Sequence, residues 1–278
     1  MIDRKYLIYV KNSVAVNRLP PQIVLTRIMA AVPAQEPECL GARNPLVVKL
    51  QSVSDLDPQD VTELEAICAD AREIGARRNI IREGDRPDHV HLMVEGWAAR
   101  YKLLPDGGRQ ITAFLIPGDF CDIHVTILGE MDHSIAAIGR TRVAYIPRSR
   151  MDALSERPRI ARALWWATLV DEAVLRAWIV NIGRRDAFEA VGHLMCELYV
   201  RMKNVGLTTD HSFELPLTQE EIADALGLTP VHVNRVLQRM RSEALITLKR
   251  GAFRILDYRR LEIASGFNPN YLHIEQRA

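Results

Sequence analysis

The chain has 278 residues, 48% of them hydrophobic and 26% charged, a globular composition with room for about two domains of ordinary size. No run approaches the roughly 20 apolar residues of a membrane-spanning helix. A net charge of +1 excludes a general attraction to polyanions, so any contact with nucleic acid has to come from a local cluster of basic side chains.

The cysteines Cys39, Cys68, Cys121 and Cys196 form no CxxC pair, which argues against a zinc ribbon, a thioredoxin-type motif or a simple iron–sulfur loop and favours free thiols. Polar residues interrupt the N-terminal apolar stretches before a signal-peptide core of about 7–15 residues can form. The expected setting is a reducing cytoplasm, with no membrane partner, no cofactor and no metal.

Residues 1–45, with "LPPQ" and "AVPAQEP", lack periodicity and read as an irregular extension, with Met29 as an alternative start. A short helix is expected from Asp57 to about Arg72, capped by Ser54 or Asp57, with Val61, Leu64, Ile67 and Cys68 as its packing face. Short apolar runs separated by Gly, Pro and Asp follow from about Ile74 to Ile146. Alternation at Val90, Leu92 and Val94 and the turn signal "PDGG" at Pro105 to Gly108 predict an antiparallel barrel or roll, within a unit spanning residues 46–158.

"IARALWWATLVDEAVLRAWIVNIG", Ile160 to Gly183, is a long helix (unit 159–184) with two apolar series. Ile160, Ala163, Ala167, Val170, Val174 and Ala177 form one; Leu164, Leu175, Trp178 and Ile182 form the other. Two stripes need two covers. The economical arrangement packs one on the roll and the other on the same helix of a second subunit, a homodimer through 160–182. Gly183 is expected to end this helix. A further helix then places Phe188, Val191, Leu194, Met195 and Leu198 on one face, and "NVGLTTDHS" reads as a loop.

"LTQEEIADALGLTPVHVNRVLQRMRSEALI" predicts two amphipathic helices about Gly227-Leu228-Thr229-Pro230. Gly227 supplies a positive φ after the first helix, Thr229 caps the second, and Pro230 suits its first position, where no amide donor is needed. Ile222, Ala223, Leu226, Gly227, Leu228, Val233 and Val236 fill the slots where a helix-turn-helix needs small or apolar residues, and Val233, Val236, Leu237 and Met240 turn inward. Outward remain Val231, His232, Asn234, Arg235, Gln238 and Arg239. These suit base edges in a major groove: Arg pairs with guanine, Asn with adenine, and Val meets a thymine methyl. Thr218 and the start of the first helix are expected near phosphates. "LITLKRGAFRIL" is a hairpin with Lys249, Arg250 and Gly251 at its tip, a wing whose charges would neutralise backbone phosphates.

The order of roll, long helix and winged helix resembles the Crp/Fnr family of bacterial transcription regulators from about Arg43 to Phe267. The similarity rests on Gly84, Gly96 and Gly118 of "EGD", "VEGWAARYKL" and "PGDF", on "LTQEEIADALGLTPVHVNRVLQRM" and on "ALITLKRGAFRILD". It implies an α+β fold: an N-terminal cyclic-nucleotide-binding-like jelly roll, a long dimerisation helix, a winged helix-turn-helix over 185–267 and a tail over 268–278. It also implies a homodimer on a palindromic double-stranded DNA site, and contact with RNA polymerase if the protein activates.

Two departures qualify the resemblance. Relatives that bind cyclic AMP carry Gly-Glu after "GDF" and Arg-Ser or Arg-Thr further on; this chain has Asp122-Ile123 and His133-Ser134. An aspartate opposes an anion and Ile123 cannot accept a ribose hydroxyl, so cyclic AMP is not the expected effector. Asp122, His124, Asp132, His133 and Ser134 are the candidates for a different small-molecule pocket, with a vestigial site as the alternative. Many relatives also carry a glutamate at the slot of Val231, so a shifted base preference is expected there, while Arg235 matches. The N-terminal cysteine cluster of the oxygen-responsive relatives is missing.

A reading of another class starts from "GDRPDHVHLMVEG". His89, His91 and Glu95 resemble the first metal motif of cupins, a metal-dependent enzyme fold, with the two histidines on one face of a strand. The third histidine such a site needs is not supplied: His124 follows at the wrong interval.

Overall fold

The computed structural model describes residues 44–249 and 251–274; the N-terminal extension with Cys39 and Met29, and Arg250 of the wing, lie outside them. Two short helices come first, α1 (Pro45–Gln51) and α2 (Pro58–Ala66). Asp57 caps α2 reciprocally with Asp60, while Ser54 instead donates to the Arg159 carbonyl. The helix stops earlier than its apolar spacing predicts. Ala71–Ile74 is already a strand, β1, hydrogen-bonded along the last roll strand, and tertiary pairing overrides local periodicity there.

The roll continues with β2 (Asn79–Ile81), β3 (His89–Glu95), β4 (Ala98–Leu103), β5 (Arg109–Leu115), a one-turn helix α3 (Val125–Leu128), β6 (Ser134–Ala137) and β7 (Thr141–Pro147). Two antiparallel sheets result, in the orders β1-β7-β3 and β2-β6-β4-β5. The Pro105–Gly108 turn joins β4 and β5 as expected. At Gly96 (φ +78°) a Cβ would lie 2.6 Å from the Arg140 carbonyl, so only glycine fits that corner.

Helix α4 (Arg148–Ser155), unforeseen in the sequence, leads into α5 (Pro158–Arg184). Gly183 does not terminate α5, which runs one residue further with Arg185 as its cap. Then follow α6 (Ala187–Asn204), β8 (Ser212–Glu214), α7 (Gln219–Leu226), α8 (Pro230–Ser242), β9 (Ile246–Lys249), β10 (Ala252–Ile255), α9 (Tyr258–Ser265) and a 3-10 turn over Pro269–Leu272. The segment read as a loop after α6 is irregular up to His211, and its last residue, Ser212, opens β8, which makes the wing three-stranded in the order β8-β10-β9.

One core fills the roll and is sealed by α1, α2, α4 and the start of α5. The second gathers α6 to α9 but also takes Trp97, just before β4, and Ala99, Tyr101, Ile111 and Phe114 from the other face of β4 and β5. The hairpin is thus apolar on both faces because each face meets a different core.

The two stripes of α5 are not divided as their spacing suggests. Leu164 and Trp178 of the second series are buried within the chain alongside Ile160, Ala163 and Val174 of the first, and Trp178 Nε1 donates to both carboxylate oxygens of Glu197 at 3.1 Å. Over 27 residues a helix of 3.6 residues per turn drifts away from a strict heptad, and its covering surface changes from the roll to α6. The large apolar side chains left exposed on α5 are Trp165, Leu169, Leu175, Ile179, Val180 and Ile182.

Candidate nucleic-acid interface

The geometry of the helix-turn-helix follows its punctuation. Thr218 caps α7, its hydroxyl accepting from the Glu221 amide while Glu221 Oε2 accepts from the Thr218 amide at 2.7 Å. Gly227, at φ +65°, ends α7 in the left-handed conformation. Thr229 caps α8 by accepting from the His232 amide at 3.2 Å, and Pro230 occupies the first turn. Caps of this kind are worth about 0.5–2 kcal/mol each, enough to fix where both helices begin.

Ile222, Ala223, Leu226, Val233, Val236, Leu237 and Met240 are all buried, which turns the opposite face of α8 to solvent. Val231 is 70% exposed there. His232, Arg235 and Gln238 are exposed beside it, and the side chain of Arg235 has no hydrogen bond or ion pair among the described residues. Asn234 is half-buried and donates to Gln219 Oε1 at 3.0 Å, so it is held toward the start of α7. Pro230, Val231, Asn234, Arg235 and Gln238 line a shallow groove with Gln219.

Arg239 differs from the others. Its Nε donates to Glu243 at 2.7 Å and its guanidinium lies 4.4 Å from the centre of the Phe188 ring. It is committed to neighbours at the far end of α8. Lys249 is exposed at the end of β9, paired in register with Ala252 across the wing.

The five candidates for an effector pocket separate into two sets. Asp122 is fully buried and faces inward, accepting from the His91 amide at 2.7 Å and pairing with His91 Nδ1 at 2.6 Å. It holds β3, not a ligand surface. Ser134 is also buried and accepts from the Glu83 amide at 3.0 Å. His124, Asp132 and His133 do come together, because Gly129 (φ +81°) closes α3 and returns the chain toward His124. Burial, and then the charge of Arg100, lower both imidazoles below the ordinary histidine value.

A charged cluster the sequence did not disclose lies under α5. Asp119 pairs with Lys49 at 2.6 Å and with Arg201 at 2.7 Å, and Arg201 also reaches Glu197 at 3.3 Å. Burial raises the Asp119 pKa, but the two cations outweigh it and leave the carboxyl below its ordinary range. Arg100, equally buried, donates to Asp171 of α5 at 2.7 Å. Asp119 stands in "PGDF", but only its distant partners, 70 and 82 residues away, identify its role.

The cupin-like motif is not assembled. His91 is spent on Asp122, His89 pairs with Asp88 at 2.6 Å, and Glu95, beyond a register shift in β3, bonds Arg142 at 2.7 Å. These three residues do not offer converging donors, and the enzyme reading loses its site.

Residues 189–263 match the family model of the Crp-like helix-turn-helix domain, and residues 71–157 match that of the cyclic nucleotide-binding domain. The transcriptional activatory protein AadR of Rhodopseudomonas palustris is 30% identical over 210 residues, covering 75% of this chain and 86% of that protein. The nitrogen fixation regulation protein FixK of Bradyrhizobium diazoefficiens is 29% identical over 212 residues, covering 75% and 87%. The solved structure of FixK2 from Bradyrhizobium japonicum superposes with a TM-score of 0.60 at 26% identity, covering 70% of this chain and 96% of that one. On this combination of roll, long helix and capped helix-turn-helix, with a similar regulator matched over most of its own length, the chain belongs to the Crp/Fnr family of transcription regulators.

Proposed function

We propose that the protein acts as a homodimer on a two-fold symmetric DNA site, with α8 of each protomer in the major groove and the wing against the backbone. The observation that carries this is the exposed face of α8, where Val231, His232 and Arg235 stand clear of the protein beside Asn234. Arg235 is free to give two parallel hydrogen bonds to guanine O6 and N7, and Asn234 offers the donor–acceptor pair that suits adenine once it exchanges Gln219 for a base. Val231, lacking a carboxylate, favours a thymine methyl over a cytosine amine. Thr218, Thr229 and Lys249, with Arg250, are assigned to phosphates, and Arg239 to a supporting role through Glu243 and Phe188.

Homodimerisation is supported by two exposed apolar groups on α5, Trp165 with Leu169 and Leu175 with Ile179 and Ile182, whose 3- and 4-residue steps within each group suit a helix pair. Cyclic AMP does not fit as effector, since Asp122 is buried in a structural pair and no arginine stands at His133. RNA polymerase contact, should the protein activate, follows from family membership alone.

Selection of bound duplexes from a random pool by the purified chain tests the reading. The expected product is a palindrome whose half-sites are centred about 34 Å apart. Recovery of no sequence preference, or of an asymmetric single site, would overturn it.

A further inference from the structure

Among the described residues, His124, Asp132 and His133 are the one set of three metal-type donors whose ligand atoms all lie within 4.8 Å of one another. Both imidazole Nε2 atoms are buried and have no hydrogen-bond partner among the described residues. Buried polar nitrogens are rarely left so. His133 Nδ1 is bonded to Asp132 Oδ1 at 2.5 Å, which fixes the tautomer: Nδ1 carries the proton and Nε2 presents its lone pair. A carboxylate behind a histidine is the usual support of a metal-binding imidazole.

The chain geometry explains why the donors meet. His124 starts the single turn of α3, Gly129 reverses the direction, and Asp132 and His133 lead into β6. The rings of the two histidines are 5.3 Å apart between centroids. Lys102 holds the Asp132 carbonyl at 2.5 Å, which anchors the returning strand. The nearest guanidinium, Arg100, would repel a cation, but Asp171 neutralises it at 2.7 Å, and Asp122 and Asp132 add negative charge nearby. The Asp132 side chain is 84% exposed, leaving that side of the cluster open to solvent.

We propose that His124 and His133 bind one divalent transition-metal cation through their Nε2 atoms, with Asp132 holding the His133 ring from its Nδ1 side and solvent completing the coordination shell. Two neutral imidazoles favour Zn, Co, Ni or Cu over Ca or Mg, which prefer all-oxygen shells. Donors around a tetrahedral cation at about 2.0–2.1 Å lie about 3.4 Å apart, so the loop closes slightly on loading. His124 borders the cleft shared with Asp171 and Val174 of α5, which makes loading a candidate signal to that helix. This last step alone rests on the regulator reading.

The test uses the full untagged chain, stripped with chelator and titrated with Co(II), followed by visible absorption and calorimetry. One Co(II) per chain is expected, displaced by Zn(II). His124→Ala and His133→Ala should each abolish it. Asp132→Ala, at an exposed position where folding is not at risk, should weaken it at least about tenfold. No binding by the wild-type chain, or equal binding by all three variants, would overturn the proposal. Retardation of the selected DNA is scored on the same samples. Cobalt binding without DNA binding would sink the regulator reading and keep the site; DNA binding without cobalt binding would do the reverse. Equal DNA affinity with and without the cation would remove the signalling step.

Discussion

Arg109, the first residue of β5, donates from Nε to Asp224 Oδ2 of α7 at 2.8 Å, and the neighbouring Gln110 reaches the Ala225 carbonyl at 3.3 Å. The roll therefore holds the first helix of the helix-turn-helix through polar contacts at its hairpin. The ion pair is partly open, its side chains 32% and 24% exposed, so solvent and salt weaken it. A double-mutant cycle of Arg109→Ala and Asp224→Ala should give a coupling of about 0.5–1 kcal/mol in urea unfolding, shrinking as salt rises. A coupling of zero at low salt would show that the apolar contacts of α7 alone set the docking.

Arg235 and Lys249 should respond differently to removal. If Arg235 reads a base as proposed, Arg235→Ala removes that pair of contacts, so the selected duplex should lose about 1–3 kcal/mol while random duplex is little affected. If Lys249 meets a phosphate as proposed, Lys249→Ala should weaken both alike, lowering the slope of log affinity against log salt by about one. Competition binding at several salt concentrations separates them, and matching losses on all duplexes would contradict the assigned roles.

The α5 stripe predicts a change of oligomeric state. Ile179 is 71% exposed and lies one helical turn from the exposed Leu175 and Ile182. A charge placed there has to be desolvated in any helix pair. Ile179→Glu should give monomers by sedimentation velocity, retain the wild-type circular dichroism spectrum, and bind the palindrome far more weakly. A dimer that persists would move the interface elsewhere.

Much of the interface was legible in the sequence because capping and turn chemistry are local: Thr218, Gly227, Thr229 and Pro230 announce their conformations without reference to distant partners. The inward set of α8 was legible for the same reason, since its period alone sorts buried from exposed. What could not be read depends on contacts between remote segments. Trp178 turns inward because Glu197 waits on α6, and Asp122 is lost to a pocket because His91 claims it. Gly192 carries no turn signal at all; it admits α9, where a Cβ would meet Ser265 Cβ at 2.9 Å. The end of α2 and the strand β8 were missed because sheet pairing, not propensity, decides them.

His193 gives the DNA-binding core a pH dependence with a definite sign. It is 2% exposed, stacked on Tyr271 with ring centroids 5.8 Å apart and set edge-on to Phe267 at 5.1 Å, and its Nδ1 has no partner among the described residues. Burial, and then the charge of Arg185, lower its pKa from 6.5 to about 4. Between these values the unfolded chain binds a proton that the folded chain refuses. The stabilisation is complete above about pH 6.5 and is lost as pH falls toward about 4, an effect of up to about 3 kcal/mol. Carboxylates titrate in the same range, so the variant His193→Leu supplies the reference. Urea unfolding at pH 7.5, 6, 5 and 4.5 should show wild-type stability falling more steeply than that of the variant, the gap opening below about pH 6. Parallel curves would mean that the ring finds a partner or solvent when protonated, and that its packing against Tyr271 is looser than these distances imply.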